Sequence, residues 1–407
     1  MPDFGRLLIQ VNSALGLTPI ENATIDISYT GDPTGILERI TTNDSGFSDT
    51  IELPVPPIEY SVNPSDTQPY SEYNITINAP GYQMLVINGS EILPDVTAFQ
   101  AARLLPEEVP AENDVINIPA HTLYGDYPPK IPEAEIKPID ETGEIVLSRV
   151  VIPEFMVVHD GPPSDSSAQN YYIRYRDYIK NVVSSEIYAT WNENAIYANT
   201  LAIMSFALNR VYTEWYRNQG YNFTITSSTA FDQKWIYGRN IYENVDRIVD
   251  SIFTNYLSRP NVRQPIFTQY CDGRRVTCNG LSQWGSQYLA EQGYTPIQII
   301  RNYYGSDMYI NTTEEISGVP ASWPGYNLSI GSTGDKVRMI QEQLNRIAQN
   351  YPSLPRLTPD GIYGTNTANA VRRFQSIFGL PATGIVDYTT WYKISEIFVG
   401  VTRIAEP

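Results

Sequence analysis

At 407 residues the chain exceeds what one hydrophobic core ordinarily organises, so about two to four domains are expected. Hydrophobic residues make up 42% and charged residues 18%, which fits a folded soluble protein and excludes wholesale disorder, and no apolar run is long enough to span a bilayer. The net charge of −18 is uneven: residues 1–150 hold 6 Lys/Arg and 23 Asp/Glu, residues 151–407 hold 21 and 22, so a separable acidic front precedes a nearly neutral remainder. With no cationic excess to pair with phosphates, a nucleic-acid partner is excluded.

The first 11 residues lack a basic start followed by a long apolar run and read as a β-strand, not as a secretion signal. Strand-like alternation recurs at 6–11, 23–30, 47–53, 73–77 and 83–86, separated by turn signals such as Asp32-Pro33, Asn43-Asp44-Ser45-Gly46 and Pro80-Gly81. The pattern predicts an N-terminal β-sandwich over residues 1–105. Residues 106–150 are rich in proline and acids (PEEVPAEND, YPPKIPEAEIKP), which predicts an extended, exposed linker. A lone Arg149 before Val150 makes that junction the expected proteolytic activation site.

Residues 151–317 change character. Apolar residues fall at helical spacing in Tyr178, Ile179, Val182, Val183 and Ile187, then across 195–215 and 241–257, with strand-like pieces between, which predicts an α+β domain. Cys271 and Cys278 are either free thiols or a local disulfide, and no histidine lies near them in sequence to complete a zinc site. Residues 326–400 read as a small C-terminal helical domain. Val337, Ile340, Leu344 and Ile347, then Ala370, Val371, Phe374 and Phe378, lie at helical spacing. The stretches DGIYGTNTANAV and TGIVDYTTWYKI repeat one pattern, which suggests internal pseudo-symmetry.

Glu186 lies three and four residues after Val183 and Val182 and so shares their helix face, which should be buried. A carboxyl there is either paired in a structural role or has its pKa raised by desolvation, as a general acid requires. Gln269, Tyr270, Ser282, Gln283 and Trp284 offer rings, amides and hydroxyls suited equally to a sugar groove or to core packing. Asp232 and Asp272 are the candidates for a second carboxylate, which a hydrolytic glycosidase would need.

Several segments resemble known families. GLTPIENATIDI and TTNDSGFSDTIELP resemble transthyretin-like or carboxypeptidase-regulatory-like modules, with a generic immunoglobulin-like sandwich an equal alternative. GSTGDKVRMIQEQLNRI, DGIYGTNTANAVRRFQSIFGL and TGIVDYTTWYKI resemble, in order, the three-helix peptidoglycan-binding type 1 domain. That likeness implies a glycan-anchoring role for Asp360, Tyr363, Thr367 and Arg373. YRDYIKNVVSSEIYATWNENAIYANTLAIMSFALNRVYTEWY and CNGLSQWGSQYLAEQGYTPIQIIRNYYG resemble SpoIID-type lytic transglycosylases, in which the matching glutamate, here Glu186, is the catalytic acid. SpoIID-type domains carry a His/Cys zinc cluster in mid-domain. The equivalent stretch here, TITSSTAFD at 224–232, has neither residue, so no metal or other cofactor is expected and hydroxyl hydrogen bonds should replace the metal staple.

The whole layout resembles the SleC-type spore cortex-lytic enzymes. It implies a precursor, activated by a germination protease, that cleaves cortex peptidoglycan to 1,6-anhydro ends in the extracytoplasmic cortex and coat region of the spore, with no membrane partner. The alternatives are a muramidase-type hydrolase using the same glutamate and a non-catalytic spore wall-binding protein.

Overall fold

The computed structural model describes residues 3–15, 17–109, 115–137, 150–313, 316 and 326–402. In the N-terminal part, strands β1 (Asp3–Ser13), β2 (Thr24–Tyr29), β3 (Ile36–Thr41) and β4 (Ile51–Val55) precede a short helix α1 (Glu59–Val62). Strands β5 (Ser71–Asn78), β6 (Leu85–Ile92), β7 (Thr97–Leu104) and β8 (Val115–Asn117) follow. One sheet has β1 between antiparallel β4 and parallel β7; the other runs β3-β2-β5-β6-β8. Residues two apart on a strand share a face, so Leu7, Ile9 and Val11 of one sheet and Ile25, Ile27, Ile75, Ile77 and Ile87 of the other are all sealed in one core. The hydrophobic pattern leaves β3 and β7 unpredicted. β3 is an edge strand exposed along almost its whole length, so nothing selects alternation there. β7 buries two alanines and a glutamine, and of its buried residues only Leu104, at its end, is large and apolar.

The central part comprises β9 (Phe155–His159), β10 (Asn170–Arg174), α2 (Tyr175–Glu186), α3 (Glu193–Tyr212), β11 (Ile225–Thr226), β12 (Ile241–Tyr242), α4 (Glu243–Ile252), β13 (Asn255–Ser258), β14 (Tyr270–Cys271), β15 (Leu281–Ser282), α5 (Gln283–Glu291), α6 (Pro296–Tyr304) and β16 (Tyr309–Thr312). α3 is the axis. The Asn192 side chain caps its first turn, accepting from the Asn194 N–H at 2.9 Å, and small alanines let α5, α6 and β13 approach it. Nearly every residue of α3 is buried, as expected of a helix apolar all round. α6 opens with a capping box between Thr295 and Gln298 and a proline in its first turn.

Two expectations change. The acidic front is not a free-standing unit, because β12 of the central part adds to the edge of the front sheet, with Ile241 opposite Phe99 and Tyr242 opposite Ala98. The buried Arg239 guanidinium grips Glu91 of β6 with both arms (2.7 and 2.5 Å), and the Asn240 side chain bonds the Glu91 N–H and carbonyl. The proline- and acid-rich stretch is extended but not an exposed linker. Ile118 still bonds the front sheet at Asn88, and from 121 to 137 the stretch lies on the central part with His121, Thr122, Leu123, Tyr127 and Lys137 buried. Composition favours an extended backbone, yet extended backbone can hydrogen-bond to another surface as readily as to water. Arg149 falls outside the described residues. Val150 is buried and its carbonyl accepts from Thr313 at 2.6 Å.

The C-terminal part consists of α7 (Asp335–Ile347), α8 (Thr365–Ile377) and α9 (Tyr388–Thr402). The repeat seen in the sequence has an atomic counterpart. Gln341 of α7 accepts from the Gly361 N–H and donates to the Ile362 carbonyl and to Asp360 and Thr367. Gln375 of α8 accepts from the Gly384 N–H and donates to the Ile385 carbonyl and to Thr383 and Thr390. Both glycines stand at φ near +70° (73° and 72°), which side-chain-bearing residues adopt only under strain.

A buried carboxylate ties the C-terminal part to the centre. Asp250 of α4 pairs with Arg176 (3.1 Å) and Lys180 (2.8 Å) of α2 and lies 3.6 Å from Lys393 of α9. Burial alone would raise its pKa, but the three cations pull it below the ordinary 3.8. The carboxylate therefore contributes stability above that pH, and the contribution is lost as acid titrates the folded group. Asp250→Asn should cost about 3 kcal/mol in denaturant unfolding at neutral pH, because uncompensated cations stay buried.

Candidate active site

Glu186 is the last residue of α2, a helix buried on nearly every side, and its own side chain is fully sequestered. One carboxyl oxygen accepts from the Lys234 N–H at 2.6 Å and the other from the Gln283 amide at 3.3 Å. Burial raises the pKa of this carboxyl above the ordinary 4.5, against the pull of the Lys130 ammonium, the Tyr270 hydroxyl and Lys234. The Tyr270 hydroxyl is buried, and the Glu186 carboxyl is the side chain it interacts with. A buried acid whose pKa is raised by desolvation, beside an amide and a tyrosine hydroxyl, has the character of a proton donor to a polar substrate.

The remaining sequence candidates divide. Tyr270 and Gln283 stand with Glu186. Gln269 donates to the Ile131 carbonyl at 2.7 Å and accepts on its own carbonyl from Tyr304. Ser282 caps α5, accepting from the Gly285 N–H at 3.0 Å. Trp284 stacks in an aromatic cluster with Trp191 (5.0 Å between ring centres) and Tyr188 (6.1 Å). In the C-terminal part, Asp360 and Thr367 line a polar recess of about 290 Å³ with Gln341, Arg356, Thr358 and Thr365. Tyr363 is a core residue whose hydroxyl donates to the Gly384 carbonyl, and Arg373 is exposed on α8, outside the recess lining.

Both candidates for a second carboxylate are committed elsewhere. Asp232 accepts from Arg210 (2.7 Å), the Tyr216 hydroxyl (2.6 Å), and the N–H and hydroxyl of Thr226 (2.9 and 2.7 Å). Asp272 organises a turn, accepting from the N–H groups of Arg274, Arg275 and Val276 and from the Arg275 side chain. A disulfide between Cys271 and Cys278 closes that turn. Gly273 lets the loop pass β15, since a Cβ there would fall 1.7 Å from the Ser282 hydroxyl. The residues at 224–232 do not fit a metal. Asp232 is consumed by the bonds above, and among the described residues no three His, Cys, Asp or Glu side chains cluster.

The sequence reading missed the residues that cover Glu186. Tyr127 is buried against it and its hydroxyl donates to Gln283 at 3.4 Å. The Lys130 ammonium donates to the Asp232 carbonyl at 2.9 Å and lies 5.1 Å from the centre of the Tyr270 ring. Glu133 clamps Arg210 with both oxygens (2.6 and 2.8 Å). A signal was available: Lys130 and Lys137 are the first two lysines of the chain and stand in an otherwise acidic stretch.

Residues 166–253 match the family described as "Stage II sporulation protein", and residues 333–394 match the peptidoglycan binding domain family. The chain carries a sporulation-protein domain and a peptidoglycan-binding domain. It is 43% identical over 77 residues to a zinc D-Ala-D-Ala carboxypeptidase of Streptomyces albus G, across 19% of this chain and 28% of that protein. It is 39% identical over 69 residues to an uncharacterized protein in the bpoA1 3′ region of Kitasatospora aureofaciens, across 16% of this chain and 53% of that one. The chain thus spans only a fraction of the length of these curated relatives. Among solved structures, the SleB N-terminal domain is similar at 26% identity and a TM-score of 0.17, over 19% of this chain and 97% of that one. No helix among the described residues is long and apolar enough to cross a membrane.

Because the pKa of Glu186 is raised, the folded state holds a proton that the unfolded chain releases, so this group's contribution is full below about 4.5 and is lost as pH rises through the folded value. Glu186→Gln should therefore change stability by less than about 1 kcal/mol in acid. Across rising pH, denaturant titrations should give a shallower loss for the variant than for wild type.

Proposed function

We propose that this protein is the latent precursor of a lytic transglycosylase that degrades spore cortex peptidoglycan during germination, with Glu186 as its single catalytic acid. The domain layout in this reading is an N-terminal sandwich pro-region (1–105), a covering segment with the activation site (106–150), a catalytic domain (151–317) and a wall-anchoring domain (326–400). The reading is supported by the sporulation-protein and peptidoglycan-binding matches. The single observation that carries it is one sequestered carboxyl, its pKa raised by burial, whose neighbouring carboxylates are both occupied.

That arrangement favours an intramolecular reaction over hydrolysis. A hydrolase that inverts or retains needs a second carboxylate to direct water or form the glycosyl bond, and Asp232 and Asp272 are bonded to arginines. In the transglycosylase step the Glu186 proton passes to the glycosidic oxygen as the bond to C1 of the muramic sugar breaks. The 6-hydroxyl of the same sugar closes on C1, and its proton returns to the Glu186 carboxylate. Acid and base are then one residue, and no water enters. Gln283 and Tyr270 orient the carboxyl and contact the sugar, and Asp360 and Thr367 anchor the C-terminal domain to the wall.

Cut by a germination protease beside Val150, the protein should lyse purified cortex and release muropeptides lighter by one water, the anhydro form, in mass spectra. Hydrolysed ends of full mass would establish the muramidase instead. Glu186→Gln in the cut protein should lower the lysis rate by about a hundredfold or more. Unchanged lysis would leave only a wall-binding role. N-terminal sequencing of the active form should read from Val150.

A further inference from the structure

In the intact chain the acid proposed above has no opening to solvent, and what covers it is one segment of the same chain. Residues 118–137 contain no helix or strand; Ile118 and His121 still bond the front part, at the Asn88 carbonyl and the Tyr70 hydroxyl, and from Thr122 on the segment is bonded to the central part. The Thr122 N–H donates to the Ser185 carbonyl, and the Arg275 side chain donates to the Thr122 and Gly125 carbonyls. Tyr127 reaches Gln283, and Lys130 reaches the Asp232 carbonyl. The Ile131 N–H donates to the Ala230 carbonyl, and its own carbonyl accepts from Gln269. Beyond Glu133 on Arg210, the Phe267 N–H donates to the Glu135 carbonyl, and Gln264 bonds both backbone groups of Lys137.

The groups this segment meets are of the kinds that hold a sugar chain. An aromatic ring lies over the acid, backbone carbonyls accept from side-chain amides, and the trough floor is Gln269, Tyr270, Gln283 and Glu186. The buried Tyr270 hydroxyl interacts with the Glu186 carboxyl and stands where a sugar hydroxyl would meet both. From these contacts we infer that the trough filled by residues 118–137 is the glycan-binding cleft, and that this strap is a built-in occupant which must leave before substrate enters. The inference rests on the proposed lytic function and adds where the glycan lies and what excludes it.

Chemistry and connectivity both suit such a device. The Lys130 ammonium favours the carboxylate form of Glu186, so departure of the strap removes a cation, and a glycan that covers the site again restores desolvation without it. A cut after 137 frees the strap at its C-terminal end. The strap then competes with substrate from one tether instead of two, at a lower effective concentration.

Amide hydrogen exchange on the full chain, before and after cleavage at the 149/150 junction, tests this directly. While the cut protein lyses soluble glycan strands, amides in 118–137 should lose protection by roughly tenfold or more relative to the intact chain. Retained protection during lysis overturns the inference. A tethered form gives an independent reading. Ile131→Cys with Ala230→Cys, oxidised and then cut, should keep less than roughly a tenth of the lysis of the cut wild type and regain it on reduction, with wild type under the same reductant as the reference. Full lysis by the oxidised, cut form also overturns it. A cut wild type that cleaves no glycan instead defeats the underlying functional reading, so the two failures are distinct.

Discussion

Sequestration of the Glu186 carboxyl is the constraint around which the rest of the molecule is arranged. An acid at the end of a helix buried on nearly all sides is costly as an anion, and the structure compensates with a backbone N–H, an amide and a nearby cation, not a direct salt bridge. Each of those groups comes from a different element. Lys234 follows the loop organised by Asp232, Gln283 opens α5, and Lys130 belongs to the segment preceding the central part. The folding of three separate stretches of chain converges on one buried carboxyl.

The polar network beside it has the opposite character. Arg210 is buried between Asp232 and Glu133, with every arm of its guanidinium bonded. The aspartate comes from the central part, so one charge partner is permanent. The glutamate comes from the strap, so the other is removable. Tyr216 and Thr226 complete the shell of Asp232, giving the 224–232 loop a hydrogen-bonded staple built from hydroxyls.

Much of this was legible in the sequence, for identifiable reasons. Helical spacing placed Glu186 on a buried face because α2 packs its valines inward. The two half-units of the C-terminal part were visible because each needs a glycine in the left-handed region and a polar cluster beneath it. The strap was not legible. Proline and acidic residues specify an extended backbone, and nothing in that preference states which surface the backbone will lie on. Trp284 and Tyr363 were read for their chemistry, whereas packing decides their place: one joins an aromatic cluster and the other seals a core. The shared sheet escaped notice because β12 is two residues long, too short for any periodicity to reveal.

That short strand sets the terms on which the molecule comes apart. A single backbone cut past residue 137 leaves the front and central pieces with no covalent thread between them, held by the two paired residues, the Arg239–Glu91 clasp, the bonds of Thr190 and Trp191 to Ser61, and the hydrogen bonds of the strap. The product is a nicked heterodimer governed by mass action, and its halves separate more completely the more dilute they become. Diffusion away from the site of cutting would then drive the last stage of activation.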